Sequence, residues 1–349
     1  MDAIPDSAAI NEAVKLAKKK KFQGLSGFVN GVLRKIAKEK ENIVFPDKDK
    51  DLVKYLSVKY SAPEWLCSHF ISECGADTAE KILYNSLCER PVIIRTNISR
   101  IKPSDLKTKL GEEGVTVSDT NIDGAYIIDD FDGVLSLEAF EDGLFSVQDL
   151  SSQEVFNSPD VIDVIKRAEL VVDVCAAPGG KTCHVADLLK YYQNESCKVI
   201  SRDLTDSKVD RIYENVERLE LDNVTAEVHD ALEFDKEIEG KADLVIADLP
   251  CSGLGVIGRK VDIKYRVEKE DLDELSALQK EILKVVSRYV KPGGMMIYST
   301  CTVNRKENAD NADWIAENLP FEPVNKPVQI LNDEITHDGF YISRWIKKI

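Results

Sequence analysis

The sequence predicts an α/β protein: a Rossmann-like domain with a mainly parallel, doubly wound sheet, preceded by a small α/β module and a partial all-helical region. Three observations predict it. From about Leu144 onward, apolar strand-like runs alternate with amphipathic helical stretches. Before residue 75 every periodic segment has helical spacing. Between these regions, short β-branched runs and helical stretches alternate over a small span.

The elements follow in order. Residues 8–40 place apolar and basic side chains at helical spacing, with Gly24 and Gly27 between two segments. Asp47–Lys59 and Pro63–Cys74 read as two shorter helices, Pro63 standing where a first-turn proline is tolerated. Residues 1–75 are therefore expected to be all-helical. Residues 76–143 are expected to form the α/β module, with helices at Thr78–Leu87 and Pro103–Leu110 and strands at Pro91–Thr96, Val115–Val117 and Ala125–Ile128. In residues 144–349, strands are expected at Leu170–Cys175, Lys198–Ser201, Val224–Val228, Ala242–Ala247 and Met295–Ser299. Helices are expected at Lys181–Tyr192, Asp206–Leu219 and Leu272–Val290, the last with apolar positions at Leu275, Leu278, Ile282, Val285, Val286 and Tyr289. At 349 residues the chain exceeds what one compact core holds.

Composition excludes several classes. No window approaches the roughly 20 apolar residues of a membrane span. The first residues have neither the basic head nor the apolar core of a secretory signal, so a cytoplasmic protein is expected. The eight cysteines include no C-x-x-C pair, so neither a metal site nor a disulfide framework is expected. The default for each is a small buried hydrophobe. A net charge of −16 argues against gripping nucleic acid over the whole surface. It leaves room for a local basic face, because residues 1–40 carry nine basic and four acidic side chains. The plainer reading of that lysine run is a solvated helix face.

In a doubly wound sheet, ligands bind beyond the carboxyl ends of the strands, where strand order reverses. The unusual residues stand there. After the first strand comes Cys175-Ala176-Ala177-Pro178-Gly179-Gly180-Lys181, small residues that let a ligand approach the backbone at a helix N-terminus. This is neither the G-x-G-x-x-G dinucleotide pattern nor a Walker loop. Asp203 ends the second strand, placed to accept ribose hydroxyls; Asp206 looks the better helix cap. Asp230 follows the third strand and Asp248 ends the fourth. Acids at successive strand ends beside a glycine turn indicate an adenosine-bearing ligand.

Two cysteines leave adjacent strands at that same edge: Cys251, three residues after Asp248, and Cys301 in Tyr298-Ser299-Thr300-Cys301-Thr302. A thiolate beside an adenosine sulfonium cofactor suits pyrimidine chemistry. Addition to carbon-6 of cytosine makes carbon-5 enamine-like and able to attack a methyl group. Asp248 could bind the base and stabilise the adduct. The residues alone do not say which cysteine attacks.

Asp173-x-Cys175 through Lys181, Asp248-Leu249-Pro250-Cys251-Ser252-Gly253, and Tyr298 through Thr302 resemble three hallmark motifs of the Sun-type RNA 5-methylcytosine methyltransferases. Phe145–Ser152, Gly255–Lys264, Leu275–Leu283 and Asp338–Tyr341 fit the same family. Upstream, Gly27–Arg34 resembles the end of a helical NusB-like RNA-binding domain, which points to the bacterial subgroup acting on small-subunit (16S) rRNA. The resemblance implies a Rossmann-like S-adenosyl-L-methionine methyltransferase domain at residues 144–349. It implies RNA as partner, no membrane, no metal and a monomer. It assigns the nucleophile to Cys301, release of the product to Cys251, and cofactor contacts to Cys175, Ala176, Ala177, Pro178, Gly179, Gly180, Lys181, Asp203, Asp230 and Asp248. Lys264 and Arg266 either face the RNA or make surface salt bridges. Three departures stand out: Leu249 replaces an alanine and could crowd the base pocket or point into the core, Lys208 replaces an arginine, and the NusB-like region is expected to lack its first helices. The alternatives are a methyltransferase acting on tRNA or on a DNA pyrimidine, and a catalytically silent RNA-binding assembly factor. Intact Cys301, Cys251 and Asp248 speak against the last.

Overall fold

The computed structural model describes residues 4–42 and 44–349. Asp2, one of the four acids of residues 1–40, lies outside the described residues. The chain forms two compact units, Met1–Lys59 and Tyr60–Ile349. Among the described residues of the first, helices Asp6–Lys19 and Ser26–Glu39 are joined through a tight turn at Gln23–Leu25. Gly27 therefore lies inside the second helix, and the break falls before it. Lys40 Nζ meets Asp6 Oδ2 at 2.8 Å. Lys18–Lys21 are exposed, as on a solvated face. No described helix is long and apolar enough to cross a membrane.

The second unit opens with helices Glu64–Cys74 and Ala76–Asn85. Pro63 is the N-cap of the first rather than a residue of its first turn. Then come strands β1 (Val92–Thr96), β2 (Thr116–Asp119), β3 (Ala125–Asp129) and β4 (Phe145–Val147), an antiparallel sheet of order β2-β3-β1-β4. Helix Pro103–Glu112 covers it through Leu106 and Leu110, which pack with Ile94, Ile128 and Phe145. A buried ion pair fastens this module to the helix Gly180–Tyr191. Arg95 of β1 donates to Asp187 Oδ2 at 2.7 Å. Asp187 also accepts from the Ile98 and Ser99 amides and the Ser99 hydroxyl. Every lone pair of the carboxylate is used, which is what makes a buried charge tolerable.

The larger sheet comprises β5 (Leu170–Asp173), β6 (Lys198–Asp203), β7 (Val224–Val228), β8 (Ala242–Asp248), β9 (Val290–Thr300), β10 (Phe321–Pro323), β11 (Val328–Ile330) and β12 (Phe340–Lys347). Its order is β10-β12-β9-β8-β5-β6-β7, with β11 on β12. Strands β5 to β9 pair in parallel, while β12 runs antiparallel to β9, β10 and β11. The chain moves outward from β5 to β6 and β7, then returns to place β8 and β9 on the other side. The reversal therefore lies between β5 and β8.

Other helices also differ in detail from the sequence expectation: the one expected over Asp47–Lys59 spans Leu52–Tyr60. Thr205, not Asp206, occupies the cap position of Asp206–Arg218. The long helix ends at Val286, because Val290 already pairs with Ala242 as the start of β9. Its buried face runs through Ser276, Gln279, Ile282, Leu283 and Val286, not through Leu275 and Leu278. Polar partners on the neighbouring loop account for that rotation: the Ser276 hydroxyl donates to the Lys306 carbonyl, and Gln279 Nε2 to Glu307.

Candidate active site

The parallel register of β8 and β9 sets Asp248 opposite Ser299. The ladder continues one step further, the Leu249 amide donating to the Ser299 carbonyl at 3.1 Å. Two chains that leave adjacent strands in step carry their next residues to the same place. Cys251 Sγ and Cys301 Sγ accordingly lie 3.2 Å apart, both half-buried. The two thiols are in hydrogen-bond contact, and either sulfur can donate. That bond holds Cys301 below the ordinary thiol range, against burial and the Asp248 charge and with help from Lys181 and Lys260. The same contact, with burial, pushes Cys251 well above it. Cys67, Cys183 and Cys197 are buried, and burial pushes them up to about 11, 12 and 12. These are the inert cysteines the composition led one to expect.

Asp248 is anchored on both oxygens. Lys181 Nζ donates to Oδ2 at 2.6 Å and Ser299 Oγ to Oδ1 at 2.7 Å. Burial alone would lower Lys181, but the charge and hydrogen bond of Asp248 outweigh it and keep the ammonium charged. Asp203 receives the Ala177 amide at 2.9 Å, the Leu204 amide at 2.7 Å and Lys208 Nζ at 2.8 Å. It thereby ties the end of β6 to the turn after β5, and Lys208 supplies the cation on this helix.

A cavity of about 370 Å³ opens beyond these strand ends, a size suited to a small organic ligand. Cys175, Ala177, Asp203, Asp230, Asp248, Cys251 and Cys301 line it. A second cavity of about 210 Å³ lies on the other side of the turn, lined by Ala176, Pro178, Gly180, Lys181 and Asp173 and sharing Cys175, Ala177 and Asp248. Of the predicted residues only Gly179 lines neither. Its φ of 99° shapes the turn, and its α-carbon faces Ile212. A wider depression, about 640 Å³, lies over Glu113, Asp130–Asp132 and Ser136–Glu138 of the small module and holds none of the predicted residues.

Leu249 is buried in the core and also forms part of the larger cavity's wall. Lys264 does not face outward: it is buried, with Nζ near the Tyr60 carbonyl and Ser86 hydroxyl. Arg266 is exposed and pairs with Asp262 at 3.1 Å, the salt bridge that the sequence left as one of two options. Sequence reasoning missed Leu204, His229, Leu232, Leu278 and Ile282 of the cavity wall. It also missed Glu307, a buried carboxylate in a stretch whose polarity reads as surface.

Residues 164–322 match the 16S rRNA methyltransferase RsmB/F family, and residues 1–38 match the NusB family. The probable ribosomal RNA small subunit methyltransferase B of Bacillus subtilis (strain 168) is 35% identical over 368 residues, spanning 100% of this chain and 80% of that protein. The chain belongs to the ribosomal RNA small subunit methyltransferase B family. A second member, from Pasteurella multocida (strain Pm70), is 30% identical over 364 residues, spanning 99% of this chain and 77% of its own length. Among solved structures, PH0851 superposes with a TM-score of 0.82 at 26% identity, covering 98% of this chain and 77% of that one. NSun6 from Pyrococcus horikoshii with SFG has the same fold, with a TM-score of 0.70 at 20% identity over 82% of this chain and 98% of its own. Membership of this methyltransferase family bears out S-adenosylmethionine as the cofactor.

Proposed function

We propose that this chain methylates carbon-5 of a cytosine in small-subunit ribosomal RNA, with Cys301 as covalent nucleophile. The observation that carries this reading is the cysteine pair at 3.2 Å, set on the cavity that also presents Asp203 and Asp230. The names of the relatives support ribosomal RNA as substrate. Residues 1–75 and 76–143 are the proposed RNA-binding parts, and residues 144–349 the catalytic part, of a chain that acts as a monomer.

The residues fit the cofactor. A side chain at Gly180 would meet no atom within 4 Å, so the turn is open where a ligand must approach. Asp173 Oδ1 is buried without a partner beside that opening, a waiting acceptor for an ammonium group. Cys175–Lys181 and Asp173 would hold the amino-acid end, Asp203 the ribose, and Asp230 the adenine. Bound there, S-adenosylmethionine supplies an electrophilic methyl group.

The chain's own residues do the rest. Cys251 keeps its proton and hydrogen-bonds Cys301, whose sulfur adds to carbon-6 of the base. Asp248, fixed by Lys181 and Ser299, accepts a hydrogen bond from the exocyclic amino group and orients the ring, while the ring nitrogen takes a proton from solvent as density moves to carbon-5. After methylation, solvent water takes the carbon-5 proton, its electron pair forms the carbon-5–carbon-6 double bond, and the sulfur–carbon bond breaks with its electrons leaving on the Cys301 sulfur as thiolate, so aromaticity returns. Cys251, in contact with the departing sulfur, assists this release. Bisulfite sequencing of total RNA from cells with and without the gene tests the reading. One cytosine of small-subunit rRNA is expected to lose protection; an unchanged rRNA profile would overturn it.

Asp173 offers a second check. Burial pushes its carboxyl up to about 7, only partly offset by the Thr182 hydroxyl. An unfolded aspartate ionises near about 3.9. Between those values the folded chain holds a proton that the unfolded chain has shed, so this group's contribution to stability falls as pH rises. Asp173→Asn is expected to raise the Tm of the ligand-free protein by an amount that grows from about pH 4 to 7 and then levels off. It should also weaken S-adenosylmethionine binding. Thermal melts across pH, with and without the cofactor, read both; a pH-independent change in Tm would refute the account.

A further inference from the structure

Glu307 is a fully buried carboxylate that touches both cysteine turns. Its Oε2 accepts the Ser252 amide at 2.9 Å and Gln279 Nε2 at 3.0 Å. Its Oε1 accepts the Ser252 hydroxyl and Asn304 Nδ2, the latter at 2.9 Å. Ser252 follows Cys251 directly, and its hydroxyl lies 2.7 Å from that of Thr302, which follows Cys301 directly. Gln279 meanwhile donates to the Pro250 carbonyl at 2.8 Å, on the other side of Cys251. Its Oε1 accepts from Tyr298 and Asn311, and Tyr298 also donates to the Glu307 carbonyl. This network is why the long helix turns Ser276 and Gln279 inward.

We propose that Glu307 is a positioning residue: its carboxylate locks the Cys251 turn to the Cys301 turn and so sets the gap between the two sulfurs. This rests on the proposed role of Cys301 as nucleophile. The physical reasoning is that both flanking loops are irregular backbone, which by itself does not hold two thiols in hydrogen-bond contact. A carboxylate offers only acceptors, and the four groups around it are all donors. A glutamine of the same shape presents an amide NH₂ to at least one of those donors, so one side of the lock opens. Cys251 then moves away from Cys301, and the thiolate loses its principal stabilising contact.

The test is Glu307→Gln, read by the pH dependence of Cys301 alkylation with iodoacetamide, resolved by peptide mass spectrometry. The midpoint is expected to rise toward that of an ordinary thiol. Single-turnover methyl transfer should fall about 10- to 100-fold, as misplacement of reacting groups does, with the KM for S-adenosylmethionine unchanged. Val164→Ala, which trims a buried side chain in the helix Pro159–Ile165, serves as the control. It should lower the Tm without moving the Cys301 midpoint. If Glu307→Gln yields no folded protein, Ser252→Ala, which removes the hydroxyl bridging both turns, carries the same expectation with a smaller shift. An unmoved midpoint in a folded variant would overturn the proposal. Alkylation of Cys301 needs no RNA, so its midpoint reads the positioning role even if the substrate is a different one.

Discussion

Cys301→Ala is expected to lower methyl transfer by at least about 10⁴-fold, the scale seen when a covalent nucleophile is removed. Cofactor binding should survive. Asp203 takes its hydrogen bonds from the Ala177 and Leu204 amides and Lys208, and none of these depends on the Cys301 sulfur. Alanine also removes the hydrogen-bond partner of the Cys251 thiol, a small loss beside an open cavity, so folding should be unaffected. Single-turnover assays with labelled cofactor measure the first effect and calorimetric titration of the cofactor the second. Turnover retained in this variant would end the assignment of the nucleophile.

Cys251→Ala should behave in the opposite way, forming the adduct and failing to let it go. With the methyl transferred, the adduct must lose its carbon-5 proton to solvent and expel the Cys301 sulfur. Without Cys251 that step is expected to slow by about 100-fold or more, the usual scale for a lost acid–base partner. Enzyme and RNA should then migrate together on a denaturing gel. The geometry adds a pH signature. Cys251 supplies the hydrogen bond that keeps Cys301 low, and its removal returns Cys301 toward the normal thiol range. Adduct formation in the variant should therefore be slow near neutrality and quicken as pH rises. Normal release of free RNA would show that Cys251 does not serve that step.

The legible part of the structure was the part with regular periodicity. Strands β5 and β8 and the second half of β9 announce themselves as apolar runs because both faces of a central parallel strand are buried. The ligand edge followed from their order, and the cysteine pair from two loops leaving neighbouring strands. Strand β12 escaped because Ser343 and Arg344 interrupt its apolar run although both are buried. Strands β10 and β11, three residues each, are too short to carry a period. Glu307 was invisible for a different reason. It lies among Asn304, Arg305, Lys306, Asn308 and Asp310, and nothing in composition separates a buried carboxylate from solvated ones. Lys264 is the converse, a lysine whose type suggests solvent and whose stem and ammonium are enclosed by residues distant in sequence. Burial of single polar groups is decided by tertiary partners, and local spacing carries no record of them.

The junction between Arg95 and Asp187 has a thermodynamic corollary. Asp187 belongs to the helix Gly180–Tyr191, whose first turn lines the smaller cavity, and Gln148 links Arg95 to the Gly180 carbonyl through contacts of 2.9 and 3.4 Å. A ligand that tilted the four-stranded module would pull through these contacts on the mouth of the neighbouring cavity. Any coupling carried this way is reciprocal, each occupant changing the affinity met by the other by one common factor.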